Sequence, residues 1–227
     1  MWAYESVFYQ IYPLGFCGAP FENDGVLTHR IQKVNDWIPH IQKLGANAIY
    51  FSPVFESDTH GYNTRDYTKI DCRLGTNEDF KEVVDKLHAA GIKVVLDGVF
   101  NHCGSFNKWL DRECIYENQE GYEKGAYVDY QSPYRSFFKF QDPWQWPYNG
   151  TYNGWWGHDT LPKLNYEGSQ ELMDYVLHVA KKWVSPPYNV DGWRLDVAAD
   201  LGHSQEFNHH FWQEFRKAVK EANPEAI

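Results

Sequence analysis

The chain has 227 residues, 43% of them hydrophobic and 18% aromatic, with a formal net charge of −10. That length suits one or two domains with a buried core, and the acidic balance argues against nucleic acid and anionic membrane surfaces, which select basic patches. Met1 to Glu5 shows neither a basic segment nor a long apolar run, so no signal peptide or membrane span is expected, and the expected location is cytoplasmic.

Val7–Ile11 reads as a first strand, closed by Pro13 and Gly15. Apolar residues then recur at helical spacing from Ile31 to Leu44, interrupted by Pro39. Proline is tolerated in a first turn, so the spacing predicts a helix from about Asp36, ended by Gly45. Asn47–Phe51 predicts a second strand, and Val54 to Gly75 a loop. Thr76 and Asp79 form a capping-box pattern ahead of Phe80, Val83, Val84 and Leu87. Gly91 ends that helix, and Ile92–Leu96 is a third strand. From Cys103 to Gly168 periodicity disappears into a segment dense in Tyr, Phe and Trp. Ser169 caps a further helix, closed by Pro186 and Pro187. A strand over Val190–Asp196 and a helix over Glu206–Glu221 complete the chain. Alternating strands and helices predict an α/β fold with a parallel sheet, whose site lies at the C-terminal strand ends. The four cysteines show no Cys-x-x-Cys spacing, which argues against zinc and for free thiols.

Arg194 and Asp196 stand two apart on the last predicted strand, so both point to one face. An adjacent guanidinium favours the ionised carboxylate. Such a carboxylate can attack the anomeric carbon of a sugar. A structural ion pair is the alternative for these two residues taken alone.

Four segments carry a resemblance. Asp97-Gly98-Val99-Phe100-Asn101-His102 ends the third strand, and Gly192-Trp193-Arg194-Leu195-Asp196 the fourth. Leu161-Pro162-Lys163-Leu164-Asn165 lies late in the irregular segment, and Gly61 to Tyr67 follows the second strand. In this order they resemble the α-amylase superfamily, glycoside hydrolase family 13. The Leu-Pro-Lys-Leu-Asn wording is closest to the neopullulanase, cyclomaltodextrinase and maltogenic amylase group. The resemblance implies a (β/α)8 TIM barrel of which only the first four βα units are present. Residues 1–102 would begin the barrel, 103–168 would be an insertion domain after strand 3, and 169–227 would continue through strand 4 and its helix.

The resemblance also implies roles. Asp196 would be the nucleophile and Arg194 its orienting cation. His102 would hydrogen-bond the reacting sugar, Tyr62 would stack on it, and Asp97 would support them from behind. The substrate would be an α-glucan such as a maltooligosaccharide, pullulan, a cyclodextrin or starch. Glucanotransfer, or a non-catalytic carbohydrate-binding or partner subunit, are the alternatives. No cofactor is required. Calcium stays open: Asn101 matches a ligand of classical α-amylases, while Asp200 stands where those enzymes carry a histidine. The family's general-acid glutamate follows a fifth strand that this chain does not reach, and Glu225 does not match it. The 227 residues alone are therefore expected to be inactive, and either oligomeric or poorly stable because of the open edges of a half-barrel.

Overall fold

A computed structural model describes residues 1–141 and 152–227. In chain order the strands are β1 (Phe8–Ile11), β2 (Ala48–Phe51), β3 (Phe55–Ser57), β4 (Thr64–Ile70), β5 (Lys93–Gly98) and β6 (Gly192–Leu195). The α-helices are α1 (Pro13–Phe16), α2 (Lys33–Lys43), α3 (Asn77–Ala89), α4 (Gln170–Val184) and α5 (Gln205–Ala222). One sheet runs β1-β2-β5-β6, parallel throughout, and β3 and β4 form a separate antiparallel pair. The chain's last residue lies along β6: Ile227 N–H donates to Asp191 O, and Trp193 N–H donates to Ile227 O.

The central strands β2 and β5 are nearly continuous apolar runs, as strands buried on both faces are. Ile49, Phe51, Val94 and Leu96 are fully buried in one cluster with Val34 and Ile41 of α2, Val83 and Leu87 of α3, and Val176 and Ala180 of α4. Caps set the helix starts as the sequence predicts. The Thr76 hydroxyl accepts from Asp79 N–H, and the Asp79 carboxylate accepts from Thr76 N–H. Ser169 accepts from Leu172 N–H in the same way.

Three expectations are corrected. The first helix starts at Lys33, after a 3-10 turn over Arg30–Gln32, so Pro39 lies inside it. A proline there costs about 3 kcal/mol, but burying a Val or Ile side chain contributes about 1.5–3 kcal/mol each. Ile31 and Val34 are fully buried by the early start, and together they outweigh the proline. Within the predicted loop from Val54 to Gly75, β3 and β4 pair as a hairpin. Its register shifts on both sides of Glu56, and the buried residues of β4, Thr64, Tyr67 and Ile70, fall three apart rather than at the two-residue alternation that would reveal a strand. The last strand spans Gly192–Leu195 rather than Val190–Asp196, because Val197 takes a left-handed conformation (φ 38°) just past Asp196.

The hairpin is tied down by Arg73, which is fully buried. Its guanidinium is paired with Asp71 at 2.7 Å and donates to the carbonyls of Pro20, Phe21 and Thr59. Trp183 of α4 donates through Nε1 to Tyr67 O in β4, joining hairpin to helix layer.

Between β5 and α4 the described residues form 3-10 turns and isolated bridges, including His102 with Lys163 and Phe138 with Leu164. Trp109, Phe137, Phe138, Leu164 and Tyr166 of this segment join the same apolar cluster as the sheet and helices. Residues 142–151 of the predicted insertion lie outside the described residues. Among the described residues no helix is long and apolar enough to cross a membrane.

Candidate active site

The parallel register puts chemistry at one end of the sheet. Asp97 of β5 pairs with Arg194 of β6 across the ladder, so their side chains emerge together. Arg194 Nη1 donates to Asp97 Oδ1 at 3.0 Å and Oδ2 at 3.2 Å, and to Asp196 Oδ1 at 2.5 Å. Asp196 is one residue past β6, yet its N–H still donates to Gly98 O, so the ladder carries it to the same face as Arg194. One guanidinium nitrogen thus bridges two carboxylates.

Asp97 is fully buried beneath this pair. Its Oδ2 also accepts from the hydroxyls of Tyr50, in a short contact, and Tyr62, at 3.3 Å. Burial raises the Asp97 pKa, and the Tyr50 hydrogen bond and the Arg194 charge offset part of that rise. Burial works against the Arg194 charge as well, but the hydrogen bonds and attraction from Asp97, with Asp196 behind it, hold its pKa above the ordinary arginine value. Burial, then the Asp97 charge, pushes the Tyr62 hydroxyl up, so it stays a neutral donor.

His102 follows β5 and is 1% exposed. Burial pushes its pKa down to about 4, so the ring is neutral near pH 7. Asn101 Nδ2 lies 3.2 Å from Nδ1, and Tyr62 O lies 3.1 Å from Nε2. The consistent tautomer accepts at Nδ1 from the amide and donates from Nε2–H to the carbonyl. Trp155 stacks on the imidazole, with centroids 5.5 Å apart and planes 20° apart.

All five residues singled out in the sequence meet here, as Arg194 with Asp97 and Asp196, Tyr62 with Asp97, and His102 with the Tyr62 backbone. Sequence reasoning missed Tyr50, whose one signal is a tyrosine on a buried strand, two positions after Ala48 and so on the same face. It also missed Trp155. That ring is held by Asp200, whose Oδ2 accepts from Trp155 Nε1 at 2.9 Å, while Lys163 Nζ donates to Asp200 O at 2.7 Å. Asp200, singled out only as a departure from a family pattern, anchors the insertion to the β6 turn.

Calcium takes six to eight oxygen ligands. Asn101 Oδ1 is buried without a hydrogen-bond partner and is the only orphan acceptor at this site among the described residues. The Asp200 carboxylate is engaged by Trp155. Among the described residues, three acidic or thiol groups that could ligate a metal, Glu56, Asp71 and Cys72, lie together elsewhere in the fold. A single converging oxygen does not fit calcium, and no step below passes through a metal.

The parallel β/α sheet thus gathers Asp97, Arg194 and Asp196 at its C-terminal edge, where such folds place their active sites. Residues 10–227 match the family model described as the alpha amylase catalytic domain, and the chain belongs to that family. It is 36% identical to a cyclomaltodextrinase of Bacillus sp over 99% of its length, covering 40% of that protein. It is 34% identical to neopullulanase 2 of Thermoactinomyces vulgaris over its whole length, covering 38% of that protein. Among solved structures, the ligand-free cyclic alpha-maltosyl-(1-->6)-maltose hydrolase from Arthrobacter globiformis superposes with TM-score 0.76 at 33% identity, covering 99% of this chain and 50% of that one. The chain therefore spans half or less of these relatives.

Proposed function

We infer that this chain carries the nucleophile side of a retaining α-glucan hydrolase active on glucosidic bonds of maltooligosaccharides, pullulan, cyclodextrins or starch. The observation that carries the reading is Arg194 bridging Asp97 and Asp196 at the strand ends. In this reading an Asp196 oxygen attacks the anomeric carbon as the glycosidic C–O bond breaks, giving a glycosyl ester. A general acid protonates the departing oxygen, then takes a proton from the water that releases the sugar and regenerates Asp196. Arg194 holds the nucleophile ionised and aimed. Asp97 fixes Arg194 from below and stays out of the reaction, since it is fully buried. Tyr62 offers its ring to the reacting sugar. His102 would contact the sugar only after Trp155 shifts and its Nε2–H leaves the Tyr62 carbonyl.

Asp97 and Asp196 share one guanidinium nitrogen, so neither is poised as an acid opposite the other. The reading assigns the acid to a segment that follows β6 in the full barrel, of which the sheet here would be the first half. The backbone edge of β1, and the part of β6 that Ile227 leaves uncovered, would then bring two such chains together in solution. Supporting this are the apolar side chains beside β6: Leu195, Trp212, Phe215 and Val219 line a small cavity of about 150 Å³ there. Light scattering that finds a monomer at all concentrations would remove the association.

The test of function has two arms. Titration of the 227-residue chain with maltotetraose is expected to show binding that Tyr62→Ala weakens; no binding by the wild-type chain overturns the reading. Reducing-sugar release from maltotetraose and a cyclodextrin is expected to equal that of Asp196→Ala. Release that disappears in Asp196→Ala would keep the nucleophile and overturn the missing acid.

A further inference from the structure

One sizeable cavity lies away from Asp196. It is a cleft of about 660 Å³ between the β3–β4 hairpin, the N-terminal turn of α3 and the insertion, and it shares no lining residue with the candidate active site. Its lining carries three cations, Arg65, Lys69 and Lys108, and three anions, Glu56, Asp66 and Glu78. Several are already paired locally. Arg65 Nε donates to Asp58 at 2.6 Å, Lys69 lies 3.9 Å from Asp66, and Glu56 accepts from Asn23 and from Cys72 N–H. Balanced charge leaves no net field to select either an anion or a cation. It does supply both donors and acceptors around a space large enough for a small organic ligand.

The rim nearest the insertion is aromatic. Tyr116 and Tyr122 lie with ring centroids 4.8 Å apart, and Tyr122 is 42% exposed. Their loop is built rather than loose: the carboxylate of fully buried Asp111 accepts from Ile115 N–H at 2.8 Å and Tyr116 N–H at 3.1 Å. An aromatic face beside paired donors and acceptors matches one ligand chemistry well. A pyranose presents C–H groups on its ring faces and hydroxyls around its rim, and carries no charge.

We propose that this cleft is a second carbohydrate site, binding a neutral oligosaccharide of two or three sugar units away from Asp196. Tyr122 supplies the stacking face, and Lys69, Lys108, Asp66 and Glu78 bond the hydroxyls. It goes beyond the functional reading above and stands or falls separately from it.

The test is a maltotriose titration of the 227-residue chain followed by amide chemical shifts, in wild type, Tyr122→Ala, Lys108→Ala and Tyr62→Ala. Shifts at Lys69, Thr76, Asn77 and Tyr122 are expected to persist in Tyr62→Ala. They are expected to weaken in Tyr122→Ala by about tenfold in affinity, the equivalent of about 1.4 kcal/mol for a lost ring contact. Lys108→Ala is expected to weaken them too, and it carries the test should Tyr122→Ala fail to give a folded spectrum. Shifts confined to residues around Tyr62 and Asp97 would overturn this proposal and leave the functional reading standing. Shifts confined to the cleft would do the reverse, and none anywhere would overturn both. Inorganic phosphate moving the same amides more tightly than maltotriose would overturn the neutral ligand.

Discussion

His102 gives the most direct test of how the site is built. Its side chain is 1% exposed, and burial drives its pKa from the ordinary 6.5 down to about 4, against smaller opposing pulls from the Asp196 charge and the Tyr62 carbonyl. The folded protein therefore keeps the ring neutral, while the unfolded chain takes up a proton near pH 6.5. The ring's contribution to stability is complete above that pH and is lost as pH falls toward about 4. Linkage over this window amounts to about 2 kcal/mol between about pH 7.5 and about pH 5. Asp58 works in the opposite direction over part of the same range, since burial pushes its carboxyl up to about 6 despite the Arg65 hydrogen bond. A wild-type profile alone mixes the two effects. Comparing wild type with His102→Gln by urea unfolding at both pH values cancels Asp58, which both proteins carry. His102→Gln is expected to be the less stable protein at about pH 7.5. The gap should narrow by about 2 kcal/mol at about pH 5. An unchanged gap would refute the buried neutral imidazole, and with it the seal that Trp155 makes over the ring.

Other outcomes follow from the same geometry. Arg73→Met leaves Asp71 charged and buried, and is expected to cost about 3–5 kcal/mol in urea unfolding; a loss under 1 kcal/mol, as for a surface pair, would contradict the buried pairing. Thr76→Ala removes the α3 cap and should cost about 1 kcal/mol by the same assay, with no loss arguing against the reciprocal cap. Tyr50→Phe removes a donor from Asp97, so the carboxyl pKa should rise further, as read by side-chain carbon NMR; a fall would contradict the network. Trp155→Ala opens His102 to water and should raise the imidazole pKa toward 6.5, which a histidine NMR titration checks directly.

Local signals made much of the fold legible. The central strands β2 and β5 announce themselves because burial forces them to be apolar runs. Thr76 and Ser169 mark helix starts because orphan N–H groups need a nearby oxygen. The hairpin over Phe55–Ile70 was not legible. Its β4 residues Thr64, Tyr67 and Ile70 are buried three apart, and what holds it is Arg73, bonded to carbonyls more than fifty residues away in sequence at Pro20 and Phe21. The start of α2 was misplaced for a similar reason, since the burial of Ile31 and Val34 outweighs the proline rule.

At the site, residue identity was readable and residue state was not. The sequence by itself determined that Asp97, His102, Arg194 and Asp196 come to strand ends, because parallel β/α units bring those ends to one edge. It determined also that Arg194 and Asp196 share a face, because two residues along an extended chain return to the same side. Only the tertiary structure decided that Tyr50 completes the Asp97 network, that Trp155 covers His102, and that Asp200 anchors that tryptophan. These are contacts between segments tens of residues apart, and their energetics depend on burial. Burial belongs to the packed molecule: it makes His102 neutral, commits Asp97 to holding Arg194, and has no counterpart in the order of residues along the chain.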